Sequence, residues 1–421
     1  MLRLKIEKKD NRILLTTYIL VFACVFVSES LLLNYGGPKA DSIRRVLRSI
    51  LWIVPIIYQI FSNNMRLKLT PSFFILAVIM LVNGIVSFYW GYTFLDIVMC
   101  VGTLLFSYTF VLTLEFETFK RAYVHIMLLM SIVSLFLFVV VQFFPGLAAS
   151  FLPTIVLEKP STGQMLQYYT LFFGNTLPDT VLARSDGTFW EPGIFQAYLL
   201  VGMVFVMFKD KPIERNDILT LCIFIAALIT TFSTTGFIGL LALLACYVLK
   251  SMRYDGKSKR KGFLFIVLII GAMGILLADE LVFDRVFNKI VLRKDSNSVQ
   301  SRLGSLWGNI QAFLQSPIWG NGLNSTNVMQ GITSNDSLHQ TNTFSNYFSS
   351  YGLLGGLFFV YGWIKTIRLI ERNSRIVRFL LFIFIVIITS GENFLYSMFF
   401  NTLVFYGYNN GVLQKTGSDI D

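Results

Sequence analysis

The chain has 421 residues, of which 55% are hydrophobic and 14% are charged, and its formal net charge is +11. Soluble domains carry roughly 25% charged residues, so this composition excludes an ordinary soluble globular protein. The positive charge would suit a nucleic-acid-binding protein, but it is concentrated in short connectors between apolar segments. That placement is typical of membrane proteins and argues against nucleic acid as a partner.

Apolar segments that approach the ~20 residues needed to cross the hydrocarbon core occur throughout the chain. Their backbones must be helical, because lipid offers no partner for free amides and carbonyls. We count twelve candidate spans: Ile13–Leu33, Val46–Phe61, Ser72–Phe88, Phe94–Leu114, Tyr123–Phe144, Gly193–Phe208, Ile218–Thr231, Gly236–Leu249, Gly262–Ala278, Leu353–Ile370, Val377–Ile388 and Phe394–Tyr408. The sequence therefore predicts an all-α polytopic membrane protein, with residues 1–421 as a single integral membrane domain.

The distribution of basic residues predicts the orientation of these spans. If the N-terminus is cytoplasmic and the sides alternate, most Lys and Arg residues fall inside, in connectors such as 209–217 and 250–261. Membrane helices are oriented by this asymmetry. We therefore expect a multi-pass protein of the inner (cytoplasmic) membrane with both termini in the cytoplasm.

Two long polar stretches, 145–191 and 279–351, interrupt the apolar chain, and both are predicted to lie outside the cytoplasm. We expect these extracytoplasmic loops to contain amphipathic helices. In the second loop the apolar residues that recur at helical spacing, with Pro317 after the last of them, are Leu303, Leu306, Trp307, Ile310, Phe313 and Leu314.

The first loop ends in a segment that carries candidate site residues. Residues 185–187 are predicted to form a turn, and Pro192 suits the first position of a helix. Glu191 then lies at the helix start, where the helix dipole favours a carboxylate, and a purely capping role is its alternative. The guanidinium of Arg184 presents a donor fork suited to phosphate. An interfacial arginine that reaches lipid headgroups is the competing interpretation.

The second loop offers a matching set. Arg302 is a second candidate for phosphate binding, with the solvated face of an amphipathic helix as its alternative. Gly320 and Gly322 permit left-handed backbone with exposed amides, which can form an anion-binding nest. His339 lies in a Ser-, Thr- and Asn-rich setting, where a near-neutral imidazole can accept a proton from a hydroxyl. Glu191 could act as that base instead, and the residues alone leave the choice open.

A few charged residues lie within or beside the predicted spans: Glu29, Arg48, Asp96 and Glu392. Ionisable groups in membrane segments are candidates for function by default. Placement at the membrane interface explains Glu29, Arg48 and Glu392 without any function, and Asp96 suits the start of a helix. The Thr-Phe-Ser-Thr-Thr-Gly turn at 231–236 places hydroxyl groups at the outer surface, where they could contact sugar or simply close a tight hairpin.

Several of these motifs together resemble a known family. The run Arg-Ser-Asp-Gly-Thr-Phe-Trp-Glu-Pro-Gly at 184–193, followed by the hydroxyl turn, resembles the arginine–glycine signature of bacterial O-antigen polymerases and ligases. The resemblance continues, in order, through Ser301-Arg302, Pro-Ile-Trp-Gly-Asn-Gly at 317–322, His-Gln-Thr-Asn at 339–342 and Tyr-Gly-Leu-Leu-Gly-Gly at 351–356. It covers roughly 184–356, and the first five spans match only in hydropathy.

The resemblance implies a membrane-embedded, inverting glycosyltransferase of the GT-C-like type that needs no metal, cofactor or nucleotide sugar. A Wzy-type polymerase would move a growing glycan from undecaprenyl diphosphate onto the terminal sugar of an incoming lipid-linked repeat unit. A ligase would move the glycan onto lipid A core, and a flippase for the same lipid-linked oligosaccharide is the third alternative. The expected partners are these lipid-linked oligosaccharides, membrane lipid, a chain-length regulator and a flippase.

Carried over to this chain, the outer-loop arginines of the family correspond to Arg184 and Arg302, which are expected to bind the diphosphate with help from Gly320 and Gly322. The ligase-type histidine corresponds to His339, with Glu191 as the other candidate base, while Trp190 and Asn342 are weaker candidates for sugar contacts. Ligases often have His-Asn where this chain has His-Gln, and the Trp-Glu-Pro run at 190–192 fits polymerases better.

Overall fold

The computed structural model describes residues 2–30, 45–47, 49–55, 70–152, 154–158, 165–169, 173–176, 183–210, 212–251, 297–335 and 338–414. The helices are α1 (Leu2–Glu29), α2 (Pro71–Tyr89), α3 (Phe94–Thr113), α4 (Phe116–Phe143), α5 (Pro145–Phe151), α6 (Pro192–Met207), α7 (Arg215–Thr230), α8 (Thr234–Ser251), α9 (Asn297–Gln315), α10 (Ser325–Thr333), α11 (Thr343–Ile370), α12 (Arg375–Thr389) and α13 (Met398–Gln414). Four strands are β1 (Ile155–Glu158), β2 (Met165–Tyr168), β3 (Gly174–Thr176) and β4 (Arg184–Gly187).

The described helices support a polytopic, predominantly helical membrane protein. Five of them, α2, α3, α4, α8 and α11, are long and apolar enough to cross a membrane, and Leu15–Glu29 and α6 are shorter apolar helices. The twelve-span count stays a prediction. The predicted span Gly262–Ala278 and Arg48 lie outside the described residues, and Val46–Phe61 is described only in part.

Helix α6 lies at the centre of the bundle, and every one of its residues is buried. It packs against α4, α7 and α8. Tyr198 of α6 stacks on Phe399 of α13 with ring centroids 4.6 Å apart, and Tyr123 of α4 stacks on the same ring at 4.7 Å. On the outer helices large apolar side chains point outward, as for Phe74 on α2, which is 57% exposed. Such contiguous apolar surface marks the faces that contact lipid.

The first polar loop differs from the expectation of amphipathic helices. Its described part contains the short helix α5 and two antiparallel two-stranded sheets, β1–β2 and β3–β4. The runs 155–158 and 165–168 are each only four residues long, and pairing them in register satisfies backbone groups that so short a helix would leave open. β-Branched residues such as Ile155 and Val156 also favour extended backbone.

The second polar loop contains the predicted amphipathic helix, α9. In a soluble protein such a helix buries its apolar face, whereas α9 buries its polar face. The polar side chains of Ser305 and Asn309 are fully buried against the protein. Leu303, Trp307 and Leu314 are 62%, 60% and 60% exposed. The polar face of α9 therefore binds the bundle, and the apolar stripe is available to lipid.

The ends of the inner helices form two groups, which lie at opposite ends of the bundle. At one end of the bundle, which we call the loop end, α6, α8 and α11 begin while α7 and α12 end. Two hydrogen bonds join elements there: Arg184 Nε donates to the Thr231 carbonyl, and Thr343 Oγ1 donates to the Glu392 carbonyl at 2.9 Å. At the opposite end, the basic end, Lys250 Nζ donates to the carbonyls of Met207 and Lys209, each at 3.2 Å. Those bonds satisfy the open carbonyls where α6 ends.

Candidate active site

Arg184 is fixed at the loop end by a strand rather than by the predicted turn. It pairs with Thr176 across β3–β4, and its Nε donates to the carbonyl of Thr231 at 3.0 Å. Gly187 ends the strand with φ +61°, a conformation that a side chain would strain. The strand and the 231–236 hairpin thus hold the guanidinium at one position, with its two terminal nitrogens left for other partners.

The electrostatic environment of Arg184 brings in residues from distant parts of the chain. Burial lowers the pKa of Arg184, and the neighbouring carboxylates of Asp186, Glu191 and Glu392 oppose that shift. Arg302 of α9 lowers the pKa of Arg184 further. The two arginines predicted to share a ligand are therefore within electrostatic range of each other. Like charges placed together in this way are stabilised by an anion between them.

Glu392 is a site residue that sequence reasoning assigned to the membrane interface. It lies in the turn between α12 and α13, is 9% exposed, and its carboxyl packs against Gly193 at the start of α6. Burial raises its pKa well above the ordinary value, Glu191 and Glu29 raise it further, and Arg302 and Arg184 oppose them. The signal available in the sequence was its position: it follows a predicted span on the same side as both long loops.

Glu191 is the N-cap residue of α6, but its side chain does not cap. Its backbone carbonyl accepts from the amides of Ile194 and Phe195 at 3.1 and 3.2 Å, whereas its carboxylate makes no capping bond. The purely capping interpretation therefore fails for the side chain. Next to it, the indole nitrogen of Trp190 donates to Glu29 Oε2 at 3.1 Å, which joins the end of α1 to the site.

The charge balance of this cluster limits what it can bind. Within the described residues, the groups that influence Arg184 and Glu392 are two guanidiniums and four carboxyls: Arg184, Arg302, Glu29, Asp186, Glu191 and Glu392. With every acid ionised the cluster would be negative and would repel an anion. A protonated Glu392, which its raised pKa favours, brings the cluster closer to neutrality.

His339 lies at the loop end but its imidazole is exposed. Its neighbour Gln340 is held by Ser305 and by Asn309, each at 2.8 Å. Asn342 Oδ1 accepts the amide of Ser345 at 2.9 Å, so its side chain caps α11. In the described part of the chain, no hydrogen bond or electrostatic contact joins His339 to Arg184 or Arg302. The histidine is thus held near the site by its neighbours but does not contact the arginines.

Gly320 and Gly322, the residues of the predicted anion nest, are closely packed in the structure. The amide of Gly320 donates to the Ser316 carbonyl at 2.9 Å, and the amides of Asn321 and Leu323 bond to Ser349 and Ser87. A Cβ on Gly320 would overlap the backbone at 350–352, and one on Gly322 would lie against Ser87. The amides of Gly320, Asn321 and Leu323 are thus occupied within the protein, and phosphate binding by this segment stays a prediction.

Among the residues that the structure describes, no three His, Cys, Asp or Glu side chains cluster in a way that could hold a metal ion. The acids and guanidiniums described at the loop end can bind an anion and can accept or donate a proton.

Comparison with known proteins adds one finding. Residues 219–360 match a family model described as O-Antigen ligase. The match supports the O-antigen ligase and polymerase superfamily. It indicates a glycosyltransferase-like membrane enzyme that acts on lipid-linked glycans. Searches of curated proteins and of solved structures each returned no match.

The matched region contains α8, α9 and α10, and therefore Arg302 and His339, whereas Arg184, Glu191 and Glu392 lie outside it. The electrostatic coupling of Arg184 and Glu392 to Arg302 is thus a link between the matched region and the rest of the chain.

Proposed function

We propose that this protein is a polysaccharide polymerase. It transfers a growing glycan from undecaprenyl diphosphate to the non-reducing terminal sugar of an incoming lipid-linked repeat unit, at the outer face of the cytoplasmic membrane. The observation that supports the proposal is that Arg184 and Arg302, which come from separate loops, lie within electrostatic range of each other.

The arginines bind the diphosphate of the donor. Arg184 is half-buried and is anchored through Nε to Thr231, which leaves its terminal nitrogens to bind phosphate oxygens. Arg302 comes from the start of α9, whose exposed apolar stripe lies in the membrane surface where the donor lipid is inserted. Fixed positive groups of this kind stabilise the charge that develops on a leaving diphosphate, typically by a few kcal/mol each.

The transfer step is a displacement at the anomeric carbon. The acceptor hydroxyl oxygen forms a bond to that carbon while the bond to the diphosphate oxygen breaks, and undecaprenyl diphosphate leaves with the electron pair. The proton of the hydroxyl passes to a base. Glu191 is the base that the geometry favours, because its carboxylate is partly exposed, does not cap α6, and lies within electrostatic range of Arg184. His339 is the alternative.

Glu392 has a different task in this proposal. Its buried carboxyl stays protonated, so that it does not cancel the charge of the arginines when the diphosphate enters. Here Glu191 accepts the proton, and Glu392 keeps one.

Ligation onto lipid A core is the second candidate function. It is favoured by the description of the matching family and by His339, which the resemblance relates to the ligase histidine. A flippase receives less support, because the described charge cluster lies at the helix ends and the helix that runs through the bundle centre, α6, is apolar below Gln196.

Glycan electrophoresis of a deletion strain, complemented with wild type or with Arg184→Ala, separates these functions. Loss of the ladder with a single repeat unit left on the final acceptor identifies a polymerase. Polymer that accumulates on undecaprenyl diphosphate identifies a ligase, and unpolymerised lipid-linked repeats retained inside the cell identify a flippase. Exposed Arg372, at the basic end, provides the matched control Arg372→Ala, which should restore the ladder.

A further inference from the structure

A second charged feature lies at the basic end, away from the candidate active site. A groove of about 750 Å³ opens where α11 ends and α12 begins. Its lining residues include Arg368, Arg375, Arg378, Ile367, Phe379 and Phe382. Three guanidiniums thus share one groove with apolar side chains. We name it the arginine groove.

In the part of the chain that the structure describes, the arginines of this groove have no acidic partner. Among the described residues, none of the three makes an ion pair, and Arg378 donates only to the carbonyl of Arg372 at 3.2 Å. Glu371, the acid closest to these arginines in sequence, is buried, and its Oε1 accepts the amides of Asn373 and Ser374 at 2.8 and 3.0 Å. Among the described residues that line the groove there are thus three positive charges and no acid.

Two of the arginines also lie where a helix disfavours them. Arg375 is the first residue of α12 and Arg378 follows in its first turn, so both oppose the positive end of the helix dipole. An anion bound beside them would reverse that unfavourable interaction. The apolar side of the groove suits an apolar part of a ligand, because Phe379 is 64% exposed there while Ile367 is buried.

The position of the groove separates it from the candidate active site. Helix α12 has 15 residues, and it ends next to Glu392 at the loop end. At about 1.5 Å per residue its two ends are roughly 20 Å apart. The arginine groove therefore lies on the opposite side of the bundle from Arg184 and Arg302.

We infer that the arginine groove binds an anionic phospholipid from the leaflet opposite the candidate active site. The phosphate of the headgroup contacts Arg368, Arg375 and Arg378, and an acyl chain runs along Phe379 and Phe382. A phosphate on an apolar chain matches both halves of the groove. A free phosphate would leave Phe379 exposed, and a zwitterionic lipid would bring its own cation next to the arginines. This inference rests on the protein lying in a membrane and does not depend on the reaction at the loop end.

The test is native mass spectrometry of the full-length protein, purified in detergent and titrated with phosphatidylglycerol or phosphatidylcholine of identical acyl chains. Wild type should retain phosphatidylglycerol more tightly, by about fivefold for each arginine engaged. The double variant Arg375→Gln/Arg378→Gln should lose most of this preference. Arg121→Gln/Arg372→Gln removes the same charge from exposed positions outside the groove and should keep it.

A conservative variant distinguishes a loss of lipid binding from a loss of folding. Arg375→Lys/Arg378→Lys keeps the charge and should retain most of the preference for phosphatidylglycerol, even if the glutamine variant is unstable. Inorganic phosphate, added as a competitor, should not displace the lipid. Equal retention of the two lipids by wild type would overturn the inference, as would an equal loss in the control variant or displacement by inorganic phosphate alone.

Discussion

The carboxyl of Glu392 occupies the space that a side chain at position 193 would need. A Cβ built on Gly193 would overlap Oε1 of Glu392, although the two residues are about two hundred positions apart in the chain. The contact joins the start of α6 to the turn between α12 and α13, and it places Glu392 beside Glu191. A glycine at the second position of α6 is therefore a requirement of the site rather than of the helix.

Gly193→Ala should reduce polymer formation, because the added methyl overlaps the Glu392 carboxyl and shifts the start of α6, which carries Glu191, relative to the arginines. The measurement is the glycan ladder, with membrane insertion checked by blotting. Gly331→Ala on α10 is the control, since a Cβ there meets nothing within 4 Å. The double change Gly193→Ala/Glu392→Asp shortens the acid and should recover part of the activity. Full activity in Gly193→Ala alone would contradict the assigned contact.

Arg184→Ala should lower the transfer rate by about 10²-fold or more, because one fixed positive group at a developing charge typically contributes a few kcal/mol. Arg184→Lys should recover little, since a lysine has no Nε to bond the Thr231 carbonyl and no second donor for a phosphate oxygen. The measurement is polymer formation by the purified protein with a lipid-linked repeat unit. A lysine variant with wild-type activity would show that charge alone suffices.

Glu392→Gln should change how stability depends on pH. Burial raises the pKa of Glu392, so the folded state favours its protonated form, and that stabilisation is complete below the ordinary value of 4.5. It is lost as the pH rises through the raised pKa, where a buried carboxylate would face Glu191 and Glu29. The melting temperature of wild type in detergent should therefore fall, as the pH rises above 4.5, more steeply than that of the glutamine variant. Parallel curves would show that burial does not raise the pKa of Glu392.

Asn309→Ala should lower the free energy of unfolding by about 1–3 kcal/mol, the usual cost of leaving buried polar groups unsatisfied. Asn309 donates to Gln340 at 2.8 Å and accepts from the Gln340 amide at 2.8 Å, and this pair fixes the segment next to His339. Thermal unfolding in detergent measures the loss. Gln315→Ala, at the exposed end of the same helix, should leave the melting temperature unchanged.

Trp307 should be quenched by brominated lipids, because its indole is 60% exposed on the apolar stripe of α9. Trp363 is 2% exposed and should be protected from the same lipids. Variants that retain only one of the six tryptophans would report each position separately. Strong quenching of Trp363 and none of Trp307 would mean that α9 faces the bundle with its apolar side.

The sequence predicted the local elements of the site well where a local rule governs them. Pro192 begins α6 because its fixed φ suits a first helical position, and the spacing of Leu303, Trp307 and Leu314 predicted α9. The prediction was weaker where backbone pairing decides: residues 184–187 form a strand rather than a turn, because β3 lies alongside to share hydrogen bonds. The same limit applies to Gly320, whose packing partners at 350–352 come from another helix.

Composition and periodicity alone determined that this chain is a helical membrane protein with polar loops, because burial in lipid demands long apolar helices and little else. Only the tertiary structure decided that Glu392 belongs with Arg184 and Arg302, and that the polar face of α9 is the buried one. A carboxyl in a turn has no periodic pattern to reveal its neighbours. Its charge interactions depend on distances through space, which are set by how the helix ends meet.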